Sequence, residues 1–289
     1  MPELPEVETT VKDLNKLVPG QKIEDVWSDS YKIIKHPKNF NNFKKEIKGK
    51  EIKKIWRRGK NIIFDLSENK YLLVHQKLTG HLLYGKWKFI NGKWIPPEGS
   101  LSEKINTYIH LVFVFKNGDM MALSDLRKFA KVGLFDRKKL EKELDNLGPE
   151  PLDKKFTFEK FKKAISQRTG KIKQVLMDQE IIAGIGNIYS DEILWEAKIH
   201  PLKTISQINE QELKKIYIAM KKILNKAIKL RGESFSDYRD PKGEKGFFDK
   251  ERKVYRREKE KCFRCGNIIK RLKIGGRSTY FCPICQPLI

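Results

Sequence analysis

A chain of 289 residues with 39% hydrophobic and 10% aromatic content has room for two domains and enough apolar mass for a packed core, which excludes global disorder. Lys plus Arg outnumber Asp plus Glu by 61 to 37, a net charge of +24 that favours a polyanion, DNA or RNA first, as partner; a Lys-rich genome composition would give part of the same excess. No apolar run approaches the ~20 residues of a membrane span, and the acidic, proline-broken start does not read as a signal peptide, so a cytoplasmic, nucleoid-associated protein with no membrane partner is expected.

The chain opens Met1-Pro2-Glu3-Leu4-Pro5-Glu6. Removal of Met1, which a small, ring-fixed second residue permits, leaves a secondary amine on Pro2. An α-amino group titrates near ~8, so part of it is unprotonated at neutral pH and able to attack an electrophilic sugar carbon and form an iminium. Glu3 and Glu6 lie within one turn and supply a proton donor or acceptor and a positioning group. The same residues also suit a plain proline-started helix with acids at its N-terminus. Leu4, Val7, Val11, Leu14 and Leu17 recur at three- and four-residue steps, predicting a helix that ends before Gly20 and holds residue 2 at its exposed tip. The wider string from Met1 to Val11, Met-Pro-Glu-Leu-Pro-Glu-Val-Glu-Thr-Thr-Val, closely resembles the start of the formamidopyrimidine-DNA glycosylases, bacterial repair enzymes that excise oxidised purines.

Short β-like runs follow at Lys22–Trp27, Glu51–Trp56, Asn61–Leu66, Tyr71–Gln76, Tyr108–Phe115 and Met120–Ser124, with turn signals at Glu68-Asn69, Asn91-Gly92 and Asn117-Gly118. Many strands with close turns and no helical crossovers predict a β-sandwich. Three places in it extend the resemblance. At Arg57-Arg58-Gly59-Lys60 it implies that Lys60 contacts the phosphate beside the lesion and assists β-elimination. His75-Gln76-Lys77-Leu78-Thr79-Gly80 resembles the loop that sends a side chain into the base stack, which places His75 on DNA and Leu78 at the wedge, where the family usually has Met. Leucine is apolar and can wedge, though it adapts less than Met. Asp125-Leu126-Arg127-Lys128-Phe129 resembles the second wedge segment, giving Arg127 the orphaned cytosine through paired hydrogen bonds, Lys128 a phosphate and Phe129 the kink. By themselves these residues equally suit a solvated Arg and Lys and a core Phe. At Tyr108-Ile109-His110 the chain departs from the His-x-His that relatives often carry.

Leu147-Gly148-Pro149-Glu150-Pro151-Leu152-Asp153 reads as a linker and matches the family's interdomain hinge, which sets a first domain at 1–147 and a hinge at 148–155. A helical domain is expected over 156–250, with helix-like periodicity at Phe156–Arg168 and Lys171–Glu180. Ala183-Gly184-Ile185-Gly186-Asn187-Ile188-Tyr189 then precedes a predicted helix Ser190–Lys198. A Gly-x-Gly at a helix entrance lets backbone approach a phosphate, though it commonly marks only a turn. The longer string resembles the family's helix–two-turn–helix motif, which implies Asn187 as a phosphate ligand. Glu233–Phe248, rich in Gly and charge, resembles the loop that closes over the lesion.

All four cysteines fall in two knuckles, Cys262-Phe-Arg-Cys265 and Cys282-Pro-Ile-Cys285, with sixteen residues between them. The spacing fits one tetrahedral four-cysteine zinc site better than disulfides, and four thiolates leave no open position, so the zinc is structural. A redox pair or an iron-bearing variant is the alternative. The finger, 251–289, carries Gly275-Gly276-Arg277-Ser278-Thr279 between the knuckles. There the resemblance implies that Arg277 holds the phosphates flanking the lesion and takes part in δ-elimination.

The predicted architecture is α+β: an N-terminal helix with a β-sandwich, then a helical helix–two-turn–helix domain with a four-cysteine zinc finger. The resemblance covers essentially the whole chain, with its motifs in family order. It implies a bifunctional DNA glycosylase and abasic-site lyase that acts as a monomer on damaged double-stranded DNA. Pro2 nitrogen attacks C1′ of a nucleotide rotated out of the duplex, Glu3 protonates the opening sugar, Glu6 orients the amine, and β- then δ-elimination cut the strand. Two other readings stay open. One is the sister class, like endonuclease VIII, that removes oxidised pyrimidines, against which Leu4-Pro5-Glu6 and the Arg127–Phe129 segment argue. The other is a catalytically silent nucleic-acid-binding protein, should Met1 stay attached and leave the Pro2 nitrogen an amide.

Overall fold

The computed structural model describes residues 1–234 and 237–288. The chain forms two compact units, Met1–Asp145 with Leu230–Asp249, and Asn146–Lys229 with Lys250–Ile289. The first contains, in order, α1 (Leu4–Leu14), β1 (Ile23–Ser28), β2 (Ile34–His36), α2 (Phe40–Ile47), β3 (Ile52–Arg58), β4 (Asn61–Leu66), β5 (Lys70–His75), β6 (His81–Gly85), β7 (Lys88–Ile90), β8 (Lys93–Ile95), β9 (Ile109–Phe115), β10 (Met120–Ser124), β11 (Lys131–Asp136) and α3 (Arg137–Leu144). They build the predicted β-sandwich: a four-stranded sheet ordered β1-β9-β10-β6 and a five-stranded sheet ordered β2-β11-β5-β4-β3.

Strand alternation makes the core. Ile62, Phe64, Leu66, Leu72 and Val74 from one sheet meet Leu111, Phe113, Phe115, Met121 and Leu123 from the other, together with Val7, Val11 and Leu14 of α1. The outward faces are covered too. Ile63, Leu73 and Phe135 pack under Leu140 of α3, and Leu83, Val112 and Ala122 pack with Trp87 and Trp94 around the β7–β8 hairpin. Burial on both faces is why β4, β5 and β9 are nearly continuous apolar runs. Each of the six predicted runs carries a strand, shifted by two residues at most. The turn signals are placed as predicted, Glu68-Asn69 joining β4 to β5 with φ of 57° and 54°. The first helix stops at Leu14, short of its predicted end: after the C-cap Asn15, Lys16 and Leu17 bond three residues back instead of four, and Asn15 Oδ1 accepts the Ile55 N–H at 2.9 Å. Leu17 still packs on the core from the turn that follows.

The second unit contains α4 (Phe158–Ser166), α5 (Ile172–Met177), α6 (Asn187–Ala197), α7 (Glu210–Lys229), β12 (Lys270–Ile274) and β13 (Arg277–Phe281). α6 is buried almost all round, and α7 packs against it with a stripe of Leu213, Ile216, Met220, Ile223, Leu224 and Ala227. Asn209 and Glu212 cap α7 reciprocally: Asn209 Oδ1 accepts the Glu212 N–H at 2.9 Å, and Glu212 Oε2 accepts the Asn209 N–H at 3.1 Å. After α7 the chain returns to the first unit, where Leu230–Asp249 packs; the sequence had placed this stretch with the helices before it. Among the described residues no helix is long and apolar enough to cross a membrane.

Two histidines with lowered pKa, His75 and His81, set an acid limit on the first unit, and His81 is the more enclosed. His81 on β6 is fully enclosed, with Nε2 2.9 Å from Asn106 Oδ1 and Nδ1 3.2 Å from the Thr79 carbonyl oxygen. Burial outweighs both contacts and lowers its pKa from 6.5 to about 4. Between those values the unfolded chain binds the extra proton, so stability present above pH 6.5 is lost as the pH falls toward 4. The loss comes to roughly 3 kcal/mol at about 1.4 kcal/mol per pH unit. A calorimetric pH series should show the midpoint of the first unit falling through this window, and His81→Asn should flatten the fall. An unchanged slope in the variant would remove His81 as a cause.

Candidate functional site

Pro2, Glu3 and Glu6 come together at the start of α1. Glu3 is the N-cap, and its backbone N–H donates to Glu6 Oε2 at 2.7 Å, closing a capping box. Residue 2 does not sit at an exposed tip as predicted. Pro2 is buried, and Glu3 and Glu6 are only 2% and 1% exposed. Residues of the returning segment Leu230–Asp249 bond to Glu6 at this end of the helix. Glu233 N–H donates to Glu6 Oε1 at 2.8 Å, and the buried Tyr238 hydroxyl donates to the Glu6 carbonyl at 3.1 Å. Arg231 pairs with both Asp13 of α1 and Asp240, fastening the segment along the helix. Gly232 passes between them with φ of 81°. A Cβ there would stand 2.6 Å from Glu6 Oε1, so only glycine permits the approach. Phe235 and Ser236, inside the predicted Glu233–Phe248 loop, lie outside the described residues.

Lys60 occupies the two-residue tip between β3 and β4, where Arg58 pairs with Asn61. A lysine at a hairpin tip ordinarily faces water; this one is 6% exposed. Its hairpin is tied to α1 by Arg57, whose Nε donates to Glu8 Oε2 at 3.0 Å. His75 ends β5 between Asn61 and Lys131 on the neighbouring strands. Burial, then the ammonium groups of Lys77, Lys60 and Lys131, lower its pKa to about 3, so the imidazole is neutral at physiological pH. Its Nδ1 accepts the Lys77 N–H at 3.0 Å, which leaves the ring proton on Nε2, a donor suited to a phosphate oxygen.

The structure joins the two predicted wedge segments through Asp125, a residue with no role in the sequence reading. Asp125 is fully buried; one carboxylate oxygen accepts the Thr79 hydroxyl and the other accepts the Ala130 N–H at 2.8 Å. Thr79 Oγ1 in turn accepts the Arg127 N–H at 3.1 Å. The loop after β10 therefore closes on the loop after β5, and the four residues Leu126–Phe129 are pushed outward. Leu126 and Phe129 are 47% and 49% exposed, and the Arg127 guanidinium lies 4.6 Å from the Phe129 ring centre. Lys128 takes a left-handed φ of 56° at the turn. Leu78 is half-buried beside Thr79, and the buried Gln76 amide has no hydrogen-bond partner among the described residues. Exposed apolar side chains on a fixed loop are the opposite of the core Phe that the bare residues also allowed.

Asn187, Arg277 and the cysteines belong to the second unit. α6 starts at Asn187, three residues before the predicted Ser190, because Gly186 already serves as its N-cap. The turn ahead of it is shaped by Gln179, another residue the sequence reading missed. Gln179 Oε1 accepts the Gly184 N–H at 2.8 Å, and its Nε2 donates to the Ile185 carbonyl at 2.7 Å. Asn187 Nδ2 donates to the Ser278 carbonyl at 3.1 Å, while its buried Oδ1 has no partner among the described residues. Arg277 is exposed at the start of β13, after the Gly275-Gly276 turn with φ of 54° and 74°.

The Sγ atoms of Cys262, Cys265, Cys282 and Cys285 all lie within 4.8 Å of one another. Zinc–sulfur bonds of about 2.3 Å in a tetrahedron require sulfurs about 3.8 Å apart; Cys262 and Cys285 are separated by 3.9 Å and Cys265 and Cys282 by 3.4 Å. Burial, then the other three sulfurs, push the Cys285 thiol up to about 12. Four thiolates therefore need a cation among them, and the donor set fits a soft, tetrahedral, divalent one.

Comparison with known proteins was consistent along the chain. The model of the formamidopyrimidine-DNA glycosylase N-terminal domain matches residues 1–132, and that of the formamidopyrimidine-DNA glycosylase H2TH domain matches 147–239. The model of a zinc finger found in FPG and IleRS matches 259–288. With that match, the four cysteines hold one structural zinc ion. The chain is 38% identical to a formamidopyrimidine-DNA glycosylase of Pelotomaculum thermopropionicum over 99% of both chains. It is 35% identical to one of Bacillus cereus over 100% of both. Among solved structures it resembles Lactococcus lactis Fpg in complex with DNA containing an abasic site, with a TM-score of 0.86, 35% identity, and 99% of this chain and 100% of that one covered. The same L. lactis protein in complex with DNA containing Fapy-dG matches equally, with a TM-score of 0.86, 35% identity and the same coverage of both chains.

Proposed function

The chain belongs to the formamidopyrimidine-DNA glycosylase family, and from that premise we propose that it excises oxidised purines, 8-oxoguanine and formamidopyrimidines, from duplex DNA and then cuts the strand. The observation that carries this reading is the start of α1, where Pro2 is followed by two buried carboxylates, one bonded to the helix start and to the returning segment. Once Met1 is cleaved, Pro2 nitrogen is a secondary amine beside Glu3 and Glu6. It attacks C1′ of the flipped nucleotide, the base leaves, and Glu3 supplies the proton that opens the sugar. The resulting iminium acidifies the C2′ hydrogen; β-elimination expels the 3′ phosphate and δ-elimination the 5′ phosphate.

In this reading Lys60 and Arg277 hold the phosphates on either side of the lesion, with His75, Lys128 and Asn187 as further phosphate ligands. Leu78, Arg127 and Phe129 fill the space left in the duplex. The complexes of the L. lactis relative with Fapy-dG and abasic-site DNA support damaged duplex DNA as partner. We further propose that the protein works as a monomer on nucleoid DNA. Residues 1–147, joined by the returning segment 230–249, then carry the chemistry, 148–155 act as a hinge, the helices up to residue 229 grip the duplex, and 251–289 form the finger.

Borohydride reduction during turnover of an 8-oxoguanine–cytosine duplex should trap a protein–DNA adduct that maps to the N-terminal peptide. Acetylating the Pro2 amine should abolish it. Glu3→Gln should slow base release far more than cleavage of a preformed abasic site, since the acid is lost and the amine kept. An adduct on Lys60 would remove Pro2 from the mechanism, and preferential trapping on an oxidised pyrimidine would move the chain to the sister class. Absence of any adduct would leave a silent binding protein.

A further inference from the structure

We propose that the buried Lys173–Asp191 pair is a positioning device for Arg277, fixing the finger hairpin so that the guanidinium is held where the second elimination needs it. The inference rests on the role proposed above for Arg277.

The starting point is the weakness of the hairpin itself. β12 and β13 are five residues each and form a sheet of only two strands, which is marginal alone in water. Zinc clamps its base at the knuckles, at the far end from the Gly275-Gly276 turn. In the antiparallel ladder Ile274 pairs with Arg277 and Leu272 with Thr279. The backbone groups of Ser278 and Tyr280 accordingly point away from β12, along an edge that no third strand covers among the described residues.

Side chains of α5 and α6 take that place. Asn187 Nδ2 donates to the Ser278 carbonyl at 3.1 Å, and Lys173 Nζ donates to the same oxygen at 3.3 Å. Lys173 also donates to Thr279 Oγ1 at 2.8 Å, and Asp191 Oδ2 accepts the Tyr280 N–H at 3.0 Å. Lys173 and Asp191 close the arrangement on each other at 2.7 Å, both buried to within 1% of full enclosure. Three consecutive residues after Arg277 are thereby held by two helices. At the turn, a Cβ on Gly275 would come within 2.7 Å of Gln174 Nε2, so α5 also abuts the tip.

An ion pair is a poor way to gain stability here. Burial pushes the Asp191 carboxyl up to about 7 although Lys173 pulls it down, and a well-packed apolar pair of similar volume commonly does as well or better. What the pair supplies that apolar groups lack is direction. A cation that reaches two acceptors and an anion that takes one N–H fix the register of β13 against α6.

The test uses the full-length zinc-loaded protein and a duplex with a preformed abasic site, reading the β-elimination product against the β,δ-elimination product. Asp191→Asn and the apolar double variant Lys173→Met with Asp191→Leu should each keep one zinc per chain and a cooperative melt. Both should lower the δ-to-β ratio by roughly ten- to a hundredfold, the cost of a misplacement of about 1 Å, while slowing the β step by less than about threefold. If Arg277→Ala loses the δ product and neither pair variant changes the ratio, the inference falls alone. If Arg277→Ala keeps the δ product, the role of Arg277 falls and the inference with it. Loss of zinc or of cooperative melting in both pair variants would show a purely structural pair and overturn the proposal.

Discussion

Cys262→Ser is expected to lose its zinc and most of its affinity for duplex DNA while the first unit stays folded. Apart from the hydrogen bonds that α5 and α6 make with β13, the finger has only a small apolar cluster to hold it. Its apolar cluster is Val254, Cys262, Ile269 and Cys282 against Trp195 of α6, and two of those residues are themselves metal ligands. Structural zinc binds with roughly 10–16 kcal/mol in isolated fingers, far more than so small a cluster contributes. Without the cation, four crowded sulfurs have no reason to stay within 4.8 Å of one another, and the hairpin that carries Arg277 loses its base. The first unit has its own core between two sheets and holds none of the four cysteines, so its melting transition should be unchanged. Elemental analysis, calorimetry and a binding titration read the three effects separately. Finding no stoichiometric zinc in the native protein, or full binding by the variant, would refute the expectation.

How far the sequence went depended on whether a feature is closed over a short stretch of chain. The two knuckles were legible because zinc demands thiolates at fixed short spacing. Glu68-Asn69 and Asn91-Gly92 were legible because a tight hairpin demands residues that tolerate positive φ. The sandwich followed from its strands, although β2, β6, β7, β8 and β11 lay outside the predicted runs. What stayed hidden were the buried polar groups whose partners lie far along the chain. Asp125 meets Thr79, 46 residues away, and Lys173 meets Thr279 across 106 residues. Nothing local distinguishes such an Asp or Lys from a solvated one. The enclosure of Glu6 was hidden for the same reason, since Glu233 reaches it across 227 residues. The largest helix was a different kind of miss. α7 announces itself through the Asn209–Glu212 capping box and a regular apolar stripe, both local signals.

Glu192 on α6 shows what such a hidden group is worth. It is fully buried, and its carboxylate accepts the backbone N–H groups of Lys253 at 2.8 Å, Val254 at 3.0 Å and Tyr255 at 2.9 Å. Burial raises its pKa even against those three donors. Removing the side chain strands the donors together, each at about 1–3 kcal/mol when left unpaired. Glu192→Ala should therefore destabilise the second unit by roughly 3–5 kcal/mol, the range for breaking a buried charged contact from one side. In a unit of this size that lowers the thermal midpoint by roughly 10 °C or more. Glu196→Ala, one turn further along the same helix, is the control: Glu196 pairs at the surface with Lys222, and its loss should stay below about 1 kcal/mol. Calorimetry of both variants with zinc saturating decides the matter, and equal losses would show that the three N–H bonds contribute nothing beyond a surface contact. The damage should also reach the metal. Val254, held in place by Glu192, packs in the cluster that contains Cys262 and Cys282, so Glu192→Ala should surrender its zinc to a chelator faster than Glu196→Ala does.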